Sequence, residues 1–408
     1  MRTDEKIVLF GAGSNGKYFG GILIMLEHCP AYFVDNIIQD GFLEILGKYI
    51  PVYKPDVLLE ENRLRLKIFI THDNFHLIAT QLTEIGLGSC VCHFNSLVAD
   101  SKIGTRSCPH PIFDRCNTPV LWNEEKQIYY KENFGLKDYH IRFYNRITSA
   151  FDFSNKTVLE IGGSNTPLQL AFEEMRVKKW ICIDNPCDRK MQKHKNHYKD
   201  VKFFKYEDNV IDAMPSEHDY IVYKEFAEYM PENFFSRFDI VISLACFEHI
   251  LNLALVLDRA YDVLKPGGVL LTDFGPIFSS KVGTHLNISD EDRSFIVSQA
   301  KGYPPVLEHS HLLMGYYELY SLLDKTYGED IAFKYTLQIK HGENGFQTLN
   351  KLFYEDYLFL VDQCKFDVKA IYPASRKEID LEKMKALISM YPGYYRFDVN
   401  SIGIEAIK

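Results

Sequence analysis

Short apolar runs alternate with amphipathic segments in two separate stretches of this chain. In the first stretch, the runs at residues 7–10, 31–34 and 67–71 predict buried strands, and the segments at 17–27 and 75–86 predict helices. Buried strands that alternate with helices are typical of doubly wound α/β sheets, because the helices cover both faces of a mostly parallel sheet. The pattern therefore predicts an α/β domain at the N-terminus.

The second stretch is longer and shows the same alternation. Its apolar runs predict strands at residues 157–161, 180–184, 201–206, 238–243, 269–273, 366–372 and 401–407. Helices are predicted at residues 168–176, 253–264, 349–363 and 381–389. The residues between the fifth strand and the third of these helices form an insertion at the carboxyl edge of the sheet, where ligands bind. We therefore predict a second doubly wound domain with a substrate lid at about 275–345.

A glycine-rich turn connects the first predicted strand to the first helix. Gly11, Gly13 and Gly16 form a GxGxxG pattern, and Asp35 ends the next strand about 20 residues later. Such glycines allow close approach of phosphate groups to a helix N-terminus, and the acid accepts hydrogen bonds from ribose. The pattern predicts a site for a nucleotide, NAD or the nucleotide part of an activated sugar. The alternative is a docking or dimerisation module in which the glycines only pack the helix on the strand.

A second glycine turn follows the strand at residues 157–161. Glu160 lies within that strand, Gly162 and Gly163 form the turn, and Asp184 ends the next apolar strand. The turn allows a ligand to lie on the sheet edge, and the carboxylate can accept hydrogen bonds from ribose hydroxyls. These residues predict a nucleoside site, which many dinucleotide-binding folds share.

Three further segments follow the second turn in a fixed order, namely Phe238-Asp239, Glu248-His249 and residues 264–268. With the glycine turn and its acid, they resemble the class I S-adenosylmethionine-dependent methyltransferases over roughly residues 150–275. The resemblance implies S-adenosylmethionine as the cofactor. The cofactor-binding residues that it implies are Glu160, Gly162, Gly163, Asp184, Asp208 and Leu244. Ser164 departs from the family, which often has another glycine there, and this leaves the path of the loop open.

The N-terminal region resembles the short Rossmann-like domains that occur beside sugar-modifying and surface-polysaccharide enzymes. The residues that carry this resemblance are Gly11, Gly13, Gly16 and the strand end at Asp35. We therefore predict two Rossmann-like doubly wound α/β domains. The predicted organisation is a nucleotide-binding-like domain at 1–105, a linker and helical cap at 106–150, and a methyltransferase domain at 151–408.

A hydroxyl acceptor must lose a proton during methyl transfer, and a neutral histidine is a suitable base near pH 7. His249 follows the fourth strand of the second domain, and His285 lies in a loop beyond the fifth strand. Both are predicted as candidate bases, with His285 favoured; each could instead be structural. His309 and His311 alternate as in a strand, and a surface pair is favoured there. Two of the histidines with an acidic residue could hold a divalent metal, but nothing in the spacing requires one, and no metal is predicted.

The net charge of −9 and the isoelectric point of about 5.9 disfavour a nucleic-acid substrate, which usually needs a basic surface. The apolar runs are shorter than a membrane span. The first residues lack a signal-peptide pattern, and nine cysteines, an odd number, suit a reducing compartment, so we expect a cytoplasmic protein. Cys90, Cys92 and the cysteines and histidines that follow fit no standard zinc spacing, so buried thiols are favoured over a zinc site.

These observations predict a methyltransferase that uses S-adenosylmethionine and acts on a small molecule, with a hydroxyl of a sugar or of a nucleotide-activated precursor of a surface polysaccharide as the favoured acceptor. A sugar nucleotide is the favoured partner, and assembly as a homo-oligomer is open. Two alternatives remain at this point: a non-catalytic scaffold of a biosynthetic complex, and a bifunctional enzyme whose first domain uses NAD.

Overall fold

The computed structural model describes residues 5–38, 41–72, 75–92, 122–162, 166–184, 202–204, 220–284, 308–341 and 349–408. Within these ranges the chain forms one sheet of six strands and one of eight, each flanked by helices. The predicted α/β fold class is confirmed. No helix in the described part of the chain combines the length and apolar character that a bilayer crossing requires.

The N-terminal sheet has the strand order β3-β4-β2-β1-β5-β6. Its elements are β1 (Lys6–Phe10), α1 (Ser14–Met25), β2 (Tyr32–Val34), β3 (Gly41–Ile45), β4 (Lys48–Tyr53), β5 (Leu66–Ile70), α2 (Phe75–Glu84) and β6 (Val91–Cys92). All neighbours pair in parallel except β3, which pairs antiparallel with β4. The central strand β1 is buried along most of its length because side chains cover both faces of the sheet.

The hairpin of β3 and β4 is absent from the sequence prediction, whose strands pass from residues 31–34 to 67–71. Ile50 and Val52 are buried beneath the hairpin, whereas Tyr49 and Tyr53 face outward. Aromatic residues at the outward positions hide the alternation of apolar and polar residues that marks a half-buried strand.

The second sheet has the strand order β13-β14-β12-β11-β7-β8-β10-β9. Its strands are β7 (Thr157–Ile161), β8 (Lys179–Ile183), β9 (Lys202–Phe204), β10 (Tyr220–Tyr223), β11 (Phe238–Leu244), β12 (Leu264–Phe274), β13 (Asp367–Arg376) and β14 (Val399–Ile407). Only β14 runs antiparallel to its neighbours. The winding reverses between β7 and β11, and ligands bind at the carboxyl ends of strands at such a reversal.

The helices beyond the first sheet are α3 (Glu124–Phe134), α4 (Asp138–Ala150), α5 (Leu253–Val263), α6 (Ser310–Leu313), α7 (Tyr316–Tyr327), α8 (Glu329–His341), α9 (Tyr354–Gln363) and α10 (Leu381–Met390). Helices α6 to α8 belong to the predicted lid. After the second glycine turn, the predicted helix is a single π-helical turn at Leu170–Glu174. The bounds of the domains and the role of the lid stay predictions.

Strand β10 is absent from the sequence prediction, whose strands pass from residues 201–206 to 238–243. It inserts between β8 and β9 with parallel pairing on both sides. Its four residues, Tyr220 to Tyr223, are all buried. A run this short, flanked by acidic residues, gives too little periodicity to be recognised as a strand.

The two sheets are joined by a shared apolar core. Phe19 of α1 lies in the same buried cluster as Met384 of α10 and Phe397, which precedes β14. Gly21 of α1 faces Leu381 so closely that a β-carbon on Gly21 would stand 2.8 Å from Cδ2 of that leucine. A side chain at Gly21 would therefore require the Leu381 side chain to move.

A buried ionic cluster lies beneath Phe19. Asp398 accepts hydrogen bonds from Nε of Arg376 at 2.9 Å and from Nε of Arg396 at 2.8 Å. Both guanidinium groups lie over the Phe19 ring, 4.8 and 5.4 Å from its centre. Burial alone would raise the pKa of Asp398, but the two arginines hold it below its usual range.

Candidate active site

Gly162 and Asp184 lie side by side at the carboxyl edge of the second sheet. Strands β7 and β8 pair in parallel with Ile161 opposite Ile183, so the residue after each strand reaches the same edge. The amide of Gly162 donates to the carbonyl of Ile183 at 2.8 Å, and the amide of Asp184 donates to the carbonyl of Tyr223 at 2.9 Å. The structure therefore brings these two predicted residues together. Gly163 lies outside the described residues.

The backbone of Gly162 adopts a φ of +72°, which favours glycine. A β-carbon at this position would overlap Sγ of Cys246 and would stand 2.7 Å from its Cβ. The glycine thus allows the loop after β11 to lie directly on the turn after β7. This contact fixes the position of residues 246–249 relative to the predicted cofactor turn.

Glu160 and Leu244 are buried within the sheet. The side chain of Glu160 is inaccessible to solvent, and its Oε2 accepts a hydrogen bond from Nε1 of Trp180 at 2.9 Å. Leu244 ends β11, opposite Asp273 of β12. This hydrogen bond connects β7 to β8, so Glu160 has a structural role. Contact of Glu160 with a cofactor stays a prediction.

Strand β10 changes the expectation for Asp208, which lies outside the described residues. The strand that precedes Asp208 in sequence is β9, at the edge of the sheet, and β10 separates it from β8. Lys224 and Glu225 follow β10 and therefore occupy the position beside Asp184 that the sequence analysis gives to Asp208. Sequence reasoning misses them because it misses the strand.

Glu248 is the most unusual side chain at this edge. It lies in a short 3₁₀ turn, Phe247–His249, and only 1% of its surface is exposed. Its Oε1 accepts a hydrogen bond from the amide of Gly275 at 3.0 Å, and its Oε2 has no hydrogen-bond partner among the described residues. Burial, with a further contribution from Asp273, raises the pKa of Glu248 to about 7.

The surroundings of Glu248 are polar and mainly acidic. Asp273 ends β12, and its Oδ2 lies 3.3 Å from Nη1 of the buried Arg146 on α4. Nε of Arg146 lies 3.7 Å from Glu405 on β14. Burial, with contributions from the charges of Glu248 and Asp273, raises the pKa of Tyr139, at the start of α4, to about 12. Two carboxyl groups, those of Asp273 and Glu405, therefore pair with Arg146 beside Glu248.

His249 is the described member of the predicted histidine pair. Its side chain is 31% exposed, and its Nε2 lies 4.0 Å from Oε1 of Glu248, beyond hydrogen-bond distance. His285 lies outside the described residues. The structure therefore places one of the two candidate bases at the carboxyl edge, and the catalytic role of both stays a prediction.

His309 and His311 differ from the favoured surface pair. His309 precedes α6 with a left-handed φ of 57°, and His311 lies within this helix. Both rings are buried, and Nε2 of His311 lies 2.6 Å from the carbonyl of Phe278. Burial lowers the pKa of His309 to about 3. A helical turn replaces the predicted alternation, and apolar packing around α6 covers both rings.

The N-terminal glycine loop is held by Asp35. Its Oδ2 accepts from the amide of Ala12 at 2.8 Å, and its Oδ1 accepts from the amides of Ile37 and Ile38 at 2.8 and 3.0 Å. Burial would raise the pKa of Asp35, but these amides lower it below its usual value. Asp35 therefore orders the loop, and contact of the same carboxylate with ribose stays a prediction.

The three glycines of this loop have different surroundings. Gly11 has a φ of +116°, and a β-carbon on Gly16 would overlap the carbonyl oxygen of Gly11. Gly13, in contrast, has open space where a β-carbon would lie. Gly11 and Gly16 are thus explained by backbone conformation and packing, and only Gly13 leaves space for a ligand.

Two of the cavities in the described part of the chain lie near the second sheet. One of about 570 Å³ lies at the amino edge of the second sheet, between Trp122, Lys126 and the turn before β7. Another of about 640 Å³ lies beyond β10 and is lined by Glu225, Phe226 and Arg259, among others. No cluster of three metal-ligating side chains occurs among the described residues.

The described residues fit an adenosyl ligand. A positive-φ glycine turn and a mostly buried carboxylate lie next to each other at a reversal of strand order, as a nucleoside requires. In that arrangement Asp184 would hold the ribose, and Gly162 would let the backbone approach the rest of the ligand. The carboxyl groups beyond β11 and β12 are left for the second substrate.

Comparison with known proteins identifies one family. Residues 136–282 match a family model described as a methyltransferase domain, and this range contains Gly162, Asp184 and Glu248. No curated protein matches the chain significantly in sequence.

Several solved structures have a low overall similarity to part of this chain. A Listeria monocytogenes protein described as an S-adenosylmethionine-dependent methyltransferase is 17% identical, with 65% of this chain and 96% of that chain covered and a TM-score of 0.37. An S-adenosylmethionine-dependent methyltransferase from Mesorhizobium loti is 11% identical, with 64% and 95% covered and a TM-score of 0.35. The methyltransferase that forms a complex with the Haloferax volcanii Trm112 activator is 12% identical, with 69% and 94% covered and a TM-score of 0.36.

Proposed function

Because the chain contains a class I methyltransferase domain, we propose that it transfers a methyl group from S-adenosylmethionine to a small molecule. The observation that carries the proposal is the adjacency of Gly162 and Asp184 at the carboxyl edge, within the residues that match the family. The bound cofactor supplies a methyl carbon on a positively charged sulfur, which leaves as a neutral thioether. The protein therefore mainly aligns the acceptor with this carbon and removes the acceptor's proton.

The favoured acceptor is a hydroxyl of a sugar or of a nucleotide-activated sugar for a surface polysaccharide. The acidic surroundings of Glu248 support an acceptor that arrives as a hydrogen-bond donor, since Asp273 and Glu405 already surround the positive charge of Arg146. A phosphate would be repelled at this edge. A nucleotide-activated sugar would therefore present its sugar here and hold its phosphates elsewhere.

The N-terminal glycine loop supports binding of a nucleotide or NAD as a second proposal. The open space above Gly13 lies at the start of α1, where amide groups at a helix N-terminus favour phosphate. His249 and His285 are the candidate histidine bases from the sequence. Full activity in both His249→Ala and His285→Ala would exclude these two histidines as the base.

Calorimetric titration with S-adenosylmethionine tests the cofactor. We expect the full chain to bind it and Asp184→Ala to bind it at least tenfold more weakly, because the ribose loses its hydrogen-bond acceptor. Asp367→Asn, a change at an exposed strand residue, is the matched control and should bind as the natural chain does. Failure of the natural chain to bind, or unchanged affinity in Asp184→Ala, would contradict the proposal.

Mass spectrometry of small molecules that copurify with the protein tests the second substrate. An adenosyl compound together with a sugar nucleotide is the expected result. The alternative of a non-catalytic scaffold would be favoured by two results together. The natural chain would have no affinity for S-adenosylmethionine, and it would be recovered in a stable complex with other biosynthetic proteins.

A further inference from the structure

Glu248 has one carboxylate oxygen that is bound and one that is not. Oε1 accepts from the amide of Gly275, whereas Oε2 is buried without a partner among the described residues. An unsatisfied carboxylate oxygen in a protein interior costs free energy, and such groups in native structures usually meet a ligand, a water molecule or a catalytic task. The bound oxygen leaves the free one fixed in position.

The loop that carries Glu248 is held from two sides. Asn350 donates from its backbone amide to the carbonyl of Glu248 at 2.9 Å and from Nδ2 to the carbonyl of Phe247 at 2.8 Å. Tyr357 of α9 donates to Oδ1 of Asn350 at 2.9 Å. On the other side, Cys246 lies against Gly162. Glu248 is therefore positioned two residues from the contact with the predicted cofactor turn.

The groups that face Glu248 come from three elements and from its own turn. Asp273 of β12 and Tyr139 of α4 interact with its charge, and Tyr357 of α9 does so from the opposite side. Arg146 of α4 pairs with Asp273 and not with Glu248, and His249 lies 4.0 Å away. No described positive charge neutralises Glu248 directly, so its carboxyl group can exist in both protonation states near neutral pH.

We infer that Glu248 is a catalytic residue that takes the proton of the acceptor hydroxyl on Oε2, in place of His249. This inference rests on the proposed methyl transfer. The acceptor oxygen bonds to the methyl carbon while the carbon–sulfur bond breaks and its electron pair stays on sulfur. The O–H proton passes to the Glu248 carboxylate, which becomes a neutral carboxylic acid.

The buried position suits this task better than that of His249. A base should lie within hydrogen-bond distance of the acceptor and have a pKa near the working pH. The acceptor hydroxyl would supply the hydrogen bond that Oε2 lacks, whereas the His249 side chain is 31% exposed and in contact with solvent. Asp273 and Arg146 then act as positioning residues through their charges.

The chain offers a matched control in Glu355. This second buried glutamate also has a bound Oε1, which accepts from the amides of Tyr395 and Arg396, and an unpartnered Oε2. Burial likewise raises its pKa to about 7. Glu355 lies at α9, and its Oε1 is bound to the segment before β14 and not to the Glu248 loop, so Glu355→Gln removes an equivalent titrating group outside the proposed base.

Unfolding equilibria from pH 4 to 8 test the titration of Glu248 without any ligand. The folded chain holds this proton up to a pH of about 7, whereas the unfolded chain releases it near 4.5. The equilibrium constant for folding of the natural chain should therefore fall, relative to that of Glu248→Gln, by on the order of 100-fold between those pH values. A pH-independent difference between the two proteins would overturn the inference.

Methyl transfer from labelled S-adenosylmethionine to UDP-, GDP- and dTDP-hexoses tests the chemical role. We expect Glu248→Gln to lose at least about 100-fold in kcat with S-adenosylmethionine affinity within threefold, while Glu355→Gln keeps most of its activity. Full activity in Glu248→Gln, or loss of the acidic limb of the pH profile in His249→Gln alone, would overturn it. If the natural chain neither binds the cofactor nor methylates any hexose, the proposed function fails, and the unfolding comparison alone decides whether Glu248 titrates.

Discussion

Gly16 lies so close to Gly11 that a single methyl group on Gly16 would overlap the carbonyl oxygen of Gly11 and stand 3.0 Å from its carbonyl carbon. The last glycine of the N-terminal pattern therefore serves to pack α1 against the end of β1. Gly13, between them, has no atom within 4 Å of the position of a β-carbon. One sequence motif thus contains a packing glycine and a glycine that faces open space.

The first prediction concerns this pair of glycines. Gly16→Ala should lower the free energy of unfolding by about 1–3 kcal/mol, because backbone must move to accept the methyl group. Gly13→Ala should change stability by less than about 0.5 kcal/mol and serves as the control. Urea unfolding of both variants measures the difference. If Gly13→Ala is as stable as the natural chain but loses nucleotide binding, the loop is a ligand site; equal losses of stability would contradict the packing account.

The second prediction concerns Asp35. Asp35→Asn should destabilise the fold by about 1–3 kcal/mol. The side-chain NH2 of the new asparagine would face a backbone N–H that now donates to a carboxylate oxygen, and two donors cannot form a hydrogen bond. The pKa of Asp35 is lowered in the folded state, so its contribution is present above about pH 4 and is lost as the pH falls through the folded value. Unfolding curves from pH 3 to 6 should therefore converge for the two proteins at the acidic end. A constant gap over this range would contradict the assignment.

The third prediction concerns the contact between Gly162 and Cys246. Gly162→Ala should destabilise the chain by about 2–4 kcal/mol, because it adds an unfavourable φ to an overlap with the thiol. Cys246→Gly removes both atoms that would collide, so the double variant should recover part of the loss. A double-mutant cycle of unfolding free energies measures the coupling. Strictly additive effects would show that the two loops do not touch.

The fourth prediction concerns Glu355. Because its folded pKa is raised to about 7, the folded chain binds its proton between about pH 4.5 and 7 while the unfolded chain does not. The natural chain should therefore lose about 3 kcal/mol relative to Glu355→Gln as the pH rises through this range. Thermal unfolding at matched ionic strength from pH 4 to 8 detects the difference. A natural chain that gains stability relative to the variant with rising pH would have the opposite sign and would contradict it.

The fifth prediction concerns Asp398. Its replacement by Asn should cost about 3–5 kcal/mol, because Arg376 and Arg396 would remain buried without a compensating charge. Asp367→Asn, at an exposed strand position, should change stability by less than about 0.5 kcal/mol. Chemical unfolding of both variants provides the comparison, and similar stability of the two would show that the arginines find other partners.

Much of the fold could be predicted because its strands are continuous apolar runs. Strands β1, β7, β8, β11 and β12 are buried on both faces, so their sequences differ clearly from those of the helices between them. Strands β4 and β10 could not be recognised. In β4, aromatic residues occupy outward positions, and β10 is only four residues long, so neither shows a clear period.

The candidate site was only partly predictable for a related reason. The motif residues Gly162 and Asp184 follow strands in sequence, and parallel pairing alone brings them together. Glu248 appears in the sequence as one half of an acid–histidine pair, and the histidine has the more familiar pKa for a base. The burial of Glu248 and its free oxygen depend on contacts with Gly275 and Asn350, which are far away in sequence.

The shared core between α1 and α10 has a consequence for chimeras. A graft of residues 1–105 onto another enzyme would carry along Phe19 and Gly21 but leave behind Leu381, the two arginines and Asp398. The transplanted domain would expose the apolar face of α1 to solvent, because the recipient would lack the residues against which this face packs. We therefore expect the two domains of this chain to be exchanged between proteins together and not separately.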